Sequence, residues 1–210
     1  MGLLARFLEG APPPTRLYLT RAGPVENPRG ALYSHPGPPL ADAGRAAFRA
    51  LAERLAGAGL EAVYAADARA DAEAAALVAG VLGVGYELRA ELRERSWGAW
   101  EGLPFAEVQR RWPREVAAWT ADEAGFAPPG GESVRAVWAR SQPVLKALIE
   151  RHRAGAFLVV ANCTTSRAAL ALALPFLPPE EGLRIEQNEA ELSLLRFYGG
   201  AGTLAFLNRP

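Results

Sequence analysis

Cysteine, lysine and histidine are all scarce in this chain. The 210 residues include one cysteine, one lysine (Lys146) and two histidines (His35 and His152). A single cysteine excludes an internal disulfide and a multi-cysteine metal site, and fits a reducing cytoplasm. Charge of one sign is also lacking, since 23 Lys+Arg balance 23 Asp+Glu. That balance argues against a general nucleic-acid or acidic-membrane partner, so any anion binding must rest on local charge. Because lysine is nearly absent, arginine supplies almost all of the basic residues, a bias that favours bidentate oxyanion contacts or simply reflects genomic base composition. Long hydrophobic runs are missing too. The apolar start at residues 2–8 is broken by Arg6, bounded by Glu9 and followed by Pro12, Pro13 and Pro14, which is too short and interrupted for a signal peptide or membrane span.

What is present fits one α/β domain over residues 1–210, with residues 1–14 as an N-terminal extension. Apolar runs that read as strands alternate with segments of helical spacing, the pattern of a mostly parallel sheet covered on both faces. Strands are expected at 16–20, 62–65, 85–88, 157–161, 184–187, 190–197 and 203–207, the last ones including an antiparallel edge. Helices are expected at 41–58, 71–82, 134–153 and 164–174, with two short ones in 105–119 separated by Pro113. Ser133 is a good N-cap for the helix that follows it. Mixed Arg/Asp/Glu helix faces, such as the one with Asp71 and Glu73, read as ordinary solvated faces.

The most informative stretch is Thr20-Arg21-Ala22-Gly23, at the end of the apolar run Arg16-Leu-Tyr-Leu-Thr20. It resembles the Arg-His-Gly signature of the histidine phosphatase (phosphoglycerate mutase-like) superfamily, with alanine in the histidine's place. Further motifs of that family follow in order. Pro39-Leu-Ala-Asp-Ala-Gly44-Arg45 is similar to "PLTxxGxxQA", and Leu92-Arg-Glu-Arg-Ser-Trp-Gly-Ala-Trp-Glu-Gly-Leu103 to "LxExxxGxWEGL". Pro129-Gly-Gly-Glu-Ser133 matches "PGGES", and Leu158-Val-Val-Ala-Asn-Cys-Thr-Thr-Ser-Arg167 resembles "LVVSHGGxxR". The resemblance implies a three-layer α/β/α sandwich with a mostly parallel central sheet, and a pocket at the carboxyl ends of its strands.

The departures from the pattern fall on the family's chemical residues. Its phosphoryl-accepting histidine aligns with Ala22, its second histidine with Asn162 and its second phosphate-binding arginine with Ala70, one position from Arg69. Arg21 remains at the phosphate-binding position and Glu94 at that of the general acid, followed by Arg95. A methyl group cannot attack phosphorus, and a general acid alone is worth only about 10²–10⁴ in rate. The resemblance therefore implies a pseudoenzyme that keeps its pocket, with no metal, no cofactor and no competent catalytic residue. Expected ligand-binding residues are Arg21, Glu94, Arg95, Asn162 and Thr164, the last offering free backbone N–H groups at a helix start. The expected ligand is a small oxyanion or another small molecule. Two rival readings stay open: an active phosphatase with an unrecognised nucleophile, and a purely structural subunit such as a homodimer. Cys163, at a strand-to-helix junction, is the best nucleophile candidate, although three residues separate it from Arg167 where cysteine phosphatases use five. His35, before Pro36, is within reach of the pocket mouth, and His152 reads as a surface or helix-capping residue. Trp97 and Trp100 either line a pocket rim or pack on the helix at Phe105.

Overall fold

The computed structural model describes residues 13–210; the apolar start at residues 2–8 and most of the expected 1–14 extension lie outside them. The elements in order are β1 (Thr15–Arg21), α1 (Asp42–Leu55), β2 (Ala62–Ala65), α2 (Arg69–Leu82), β3 (Gly85–Leu88), α3 (Phe105–Arg111), α4 (Pro113–Ala121), α5 (Val134–Arg151), β4 (Ala156–Ala161), α6 (Cys163–Ala173), α7 (Pro179–Gly182), β5 (Leu192–Tyr198) and β6 (Ala201–Arg209). Two single-turn 3₁₀ helices, Ala90–Leu92 and Gly98–Trp100, lie between β3 and α3.

The strands form one sheet in the order β3-β2-β4-β1-β5-β6. The first four are parallel neighbours, and β5 and β6 continue the sheet antiparallel. The α/β class and the antiparallel edge agree with the sequence. All of β4 is buried, as a central strand covered on both faces must be. Its side chains alternate between two cores. Phe157 and Val159 pack with Leu145 and Leu148 of α5 and Leu170 of α6. Leu158 and Val160 pack with Phe48 and Leu51 of α1 and Val78 of α2. Each fully buried Leu, Val or Phe contributes about 1.5–3 kcal/mol of transfer free energy, so this double-sided strand anchors the domain. No described helix is long and apolar enough to cross a membrane.

One expected strand does not form. Residues 184–187 are irregular because side chains take their successive carbonyls: Arg167 bonds that of Ile185, Asn208 that of Glu186 and Arg21 that of Gln187. The segment then meets the end of β1 through a single bridge between Arg21 and Glu189. His152 caps the helix, as one of its two readings had it, and is not the surface residue of the other. It sits at the α5 C-cap but is 6% exposed, held between Tyr64 and Glu61 and stacked on Phe157. That position is at the amino end of the sheet, where β2 and β4 begin.

Candidate functional site

Parallel strands all deliver their carboxyl ends to one edge of a sheet, and loops leaving that edge converge there. β1 ends at Arg21 and Ala22, and Ala22 is tied to the end of β4 by its N–H on the Ala161 carbonyl at 2.9 Å. β4 passes directly through Asn162 into α6. The segment after β3 carries Glu94 and Arg95, and β2 leads into the first turn of α2. Arg21, Ala22, Glu94, Arg95 and Asn162 all line one cavity of about 350 Å³, together with Cys163 and Thr164. The residues singled out in the sequence thus meet in one place, but several are in different states from those expected.

Arg21 is not a free cation. One guanidinium nitrogen bonds the Gln187 carbonyl at 3.1 Å, and another pairs with Glu189 at 3.3 Å. Gly23 makes room for that pair. Its φ of +132° suits glycine, and a Cβ there would lie 2.5 Å from the Glu189 carboxyl carbon. The α6 N-terminus is not free either. The Thr164 N–H donates to Glu94 Oε2 at 3.1 Å, while Glu94 Oε1 accepts from the Arg95 N–H at 2.7 Å. Asn162 is the N-cap: its Oδ1 accepts from the Thr165 N–H at 3.2 Å and its Nδ2 donates to the Leu92 carbonyl at 2.9 Å. The carboxylate expected to serve as a proton donor therefore occupies the helix start where an anionic ligand would otherwise sit.

Arg95 is 3% exposed, lies over the Trp97 ring at 4.4 Å and donates one bond, to the Phe126 carbonyl at 3.3 Å. Burial lowers its pKa, partly offset by Glu94. Burial also pushes the Cys163 thiol above its ordinary value, against the opposing pull of the Arg167 guanidinium, which disfavours the nucleophilic thiolate. His35 does not line the cavity; its ring is 3.7 Å from Asp67, whose other partner is Arg93. Trp97 lines the cavity as one of the two readings had it, whereas Trp100 is fully buried against Trp119 and Phe126. Arg69 is exposed and away from the cavity, leaving the wall at Ala70 without a cation.

Several cavity residues were missed, among them Tyr33, Arg167 and the acidic Asp71. Asp71, expected on a solvated face, is 6% exposed and lines the cavity, in the first turn of an α2 that starts at Arg69, two residues before the expected start. Burial, reinforced by the nearby Glu94 charge, raises its pKa to about 8. Its flanking alanines were the available signal, since an acid set in an Ala-rich helix start that packs on the sheet has little chance of reaching water.

The sequence matches the model of the histidine phosphatase superfamily (branch 1) over residues 17–210. The chain belongs to that superfamily. Among curated members, it is 33% identical over 201 residues to the bifunctional protein Rv2228c of Mycobacterium tuberculosis, a match covering 93% of this chain and 54% of that protein. The chain therefore spans about half the length of that relative. It is 31% identical over 180 residues to the 2,3-bisphosphoglycerate-dependent phosphoglycerate mutase of Brucella canis, covering 82% of this chain and 87% of the mutase. Among solved structures, the mycobacterial glucosyl-3-phosphoglycerate phosphatase Rv2419c in complex with VO3 superposes with a TM-score of 0.82 at 26% identity, covering 93% of this chain and 99% of that one. YhfR of Bacillus stearothermophilus gives a TM-score of 0.82 at 25% identity, covering 91% and 95%.

Proposed function

We propose that this superfamily member binds a small molecule in its cavity and does not transfer phosphoryl groups. The observation that carries the reading is that no histidine lines the cavity. Ala22 and Asn162 stand where the family motifs place histidines; His35 lies at the cavity edge between the lining residues Ser34 and Pro36 with its ring beside Asp67, and His152 is at the amino end of the sheet. Without a group that can carry the phosphoryl, a covalent route has no first step. The remaining phosphate-binding features are turned inward: Arg21 onto Glu189, and the α6 N–H of Thr164 onto Glu94. The single cysteine supports a reducing compartment such as the cytoplasm.

A second reading, a phosphomonoesterase with another nucleophile, draws support from the activities that the mutase and phosphatase relatives are named for. Cys163 is its candidate, and the raised thiol pKa weighs against it. The test is a neutral-pH screen of common phosphate monoesters with the purified protein beside its Ala22→His, Asn162→His double variant. The expected result for the unaltered protein is no phosphoenzyme and no turnover above background. Robust hydrolysis that disappears in Cys163→Ser or Glu94→Gln establishes the second reading instead.

A further inference from the structure

From Ala74 to Tyr86 the chain carries no charged residue, yet Ala76, Gly80, Val81 and Tyr86 in that stretch are exposed, as is Leu88 just after it. A helix that is apolar on its outer side as well as its inner one ordinarily has a second neighbour. Tyr86 and Leu88 lie on the side of the sheet that α2 covers, since they pair in register with Val63 and Ala65, which pack with Val78 and Ala79 of α2. The exposed apolar side chains of helix and strand thus share one side of the sheet, and none of them lines the cavity.

β3 is also an end strand of the sheet, with β2 as its neighbour. The Arg89 N–H bonds the Ala65 carbonyl at 2.8 Å, which fixes the alternation: Glu87 holds its N–H and C=O toward β2, and Tyr86 and Leu88 turn theirs outward. Among the described residues no strand meets them there, and an open edge invites pairing unless something covers it. Gly80 points the same way. A glycine inside a helix costs about 1 kcal/mol relative to alanine, and a Cβ on Gly80 would meet nothing within 4 Å. Nothing within one copy requires a glycine there, whereas a second surface brought close to α2 does.

We infer that two copies of this chain pair through β3, antiparallel across a twofold axis at Leu88, which joins their sheets edge to edge and brings the exposed sides of the two α2 helices together over Gly80. Charge complementarity selects a second copy as the occupant, and selects this register. With Leu88 facing the partner's Leu88, the outward backbone groups meet, and Glu87 stands opposite the partner's Arg89 at both ends of the axis. A register centred on Glu87 would set two carboxylates against each other, and one centred on Tyr86 would leave Glu87 facing the partner's Gly85. Within one copy Glu87 already holds Arg89 at 2.6 Å, so association trades each internal pair for one across the axis. The strand is only four residues long, and the apolar side of α2 supplies the area that a stable twofold interface needs. The inference goes beyond the proposed function and does not depend on it, since neither the cavity nor its chemistry enters.

Sedimentation equilibrium of the full chain at micromolar concentration, joined to hydrogen exchange of its backbone amides, tests this. The unaltered chain is expected to have twice its sequence mass, with the Tyr86 and Leu88 amides protected. Gly80→Arg is expected to weaken association by at least about thirtyfold and to release both amides, because it fills the approach between the helices. Its fold is expected to persist, with an unchanged circular dichroism spectrum, since the position is open within one copy and arginine is the better helix former. Glu87→Arg is expected to weaken association by about tenfold by setting like charges opposite at two places, and the double exchange Glu87→Arg, Arg89→Glu to restore it. A monomeric unaltered chain overturns the inference, including the case in which an added extended peptide then protects the same amides. A dimer that survives Gly80→Arg, or one whose Tyr86 and Leu88 amides exchange freely, lies on another surface and overturns it too. Failure of the double exchange to restore what Glu87→Arg loses overturns the cross-axis pairing on which the inference is built.

Discussion

At the scale of single residues, the site differs from its sequence pattern in how its charges are spent. Arg21, Glu94 and Asn162 were legible as cavity residues because they sit in motifs with fixed places on the fold. Their partners were not legible: Glu189 is 168 residues from Arg21, and Thr164 is 70 from Glu94. Asp71 was missed because an acidic residue at a helix start ordinarily faces water, and beyond its flanking alanines nothing local reports that this one is packed inward. Its burial has a thermodynamic consequence. In the unfolded chain the carboxyl ionises near its ordinary value of 3.8, whereas in the fold it holds its proton to about 8. Between those values the folded state binds a proton that the unfolded state lacks, so stability falls as pH rises through the window and is least burdened by Asp71 below it. Asp71→Asn is therefore expected to be more stable than the unaltered protein at pH 7.5 by about 2–4 kcal/mol, with the gap closing toward pH 4. Urea denaturation across that range checks it, and a gap that does not change with pH would refute the burial account of Asp71.

At the scale of elements, the sequence was most informative where local chemistry and packing agree. The strands at 62–65 and 85–88, the break at Pro113 and the Ser133 cap all lie where the pattern put them, with Ser133 Oγ accepting from the Ala136 N–H at 3.1 Å. The strand expected at 184–187 failed because distant side chains claim its carbonyls, which no local pattern reports. Two glycine-containing motifs that looked separate in the sequence prove to be one docking unit. The Trp97–Trp100 turn lies against the Pro129–Gly131 loop, joined by the Ala99 N–H on the Pro129 carbonyl at 2.9 Å and the Glu132 N–H on the Ser96 carbonyl at 2.9 Å. Arg140 of α5 fastens the preceding segment through the Arg93 and Glu94 carbonyls and through Glu132. Gly98 is the contact point: its φ is +54°, and a Cβ there would lie 2.2 Å from the Pro129 oxygen and 2.5 Å from the Gly131 nitrogen. Both neighbours are backbone and cannot turn aside. Gly98→Ala is expected to cost about 2–4 kcal/mol from strain and overpacking, and to shift the segment carrying Glu94 and Arg95. Thermal unfolding reads the first effect; an unchanged melting temperature would mean the two loops separate at little cost.

At the scale of the whole molecule, the formal charge is zero, so phosphate recognition cannot come from a general field and must come from a local excess of donors. The fold supplies the usual place for such an excess, the carboxyl edge of its parallel strands, but the chain neutralises it from within. Glu189 reaches Arg21 from the segment preceding β5, Glu94 covers the α6 N–H of Thr164, and Asp67 holds Arg93 just outside. Inorganic phosphate is therefore expected to bind only in the millimolar range. Glu189→Gln tests whether internal pairing is the cause. It removes the negative charge beside Arg21 but keeps a side chain of the same shape over Gly23, where the Glu189 chain packs closely. The Arg21–Glu189 pair is about one-third exposed on each side, so its strength is reduced by solvent. Freeing Arg21 is accordingly expected to tighten phosphate binding by about tenfold at low salt, equivalent to about 1.4 kcal/mol, and by less at 0.5 M salt, where screening shortens the reach of the freed charge. Calorimetric titration of phosphate into the unaltered protein and the variant at both salt concentrations measures this. Micromolar affinity in the unaltered protein would show that its cations are not internally neutralised, and an affinity unmoved by Glu189→Gln would show that Arg21 does not contribute to anion binding.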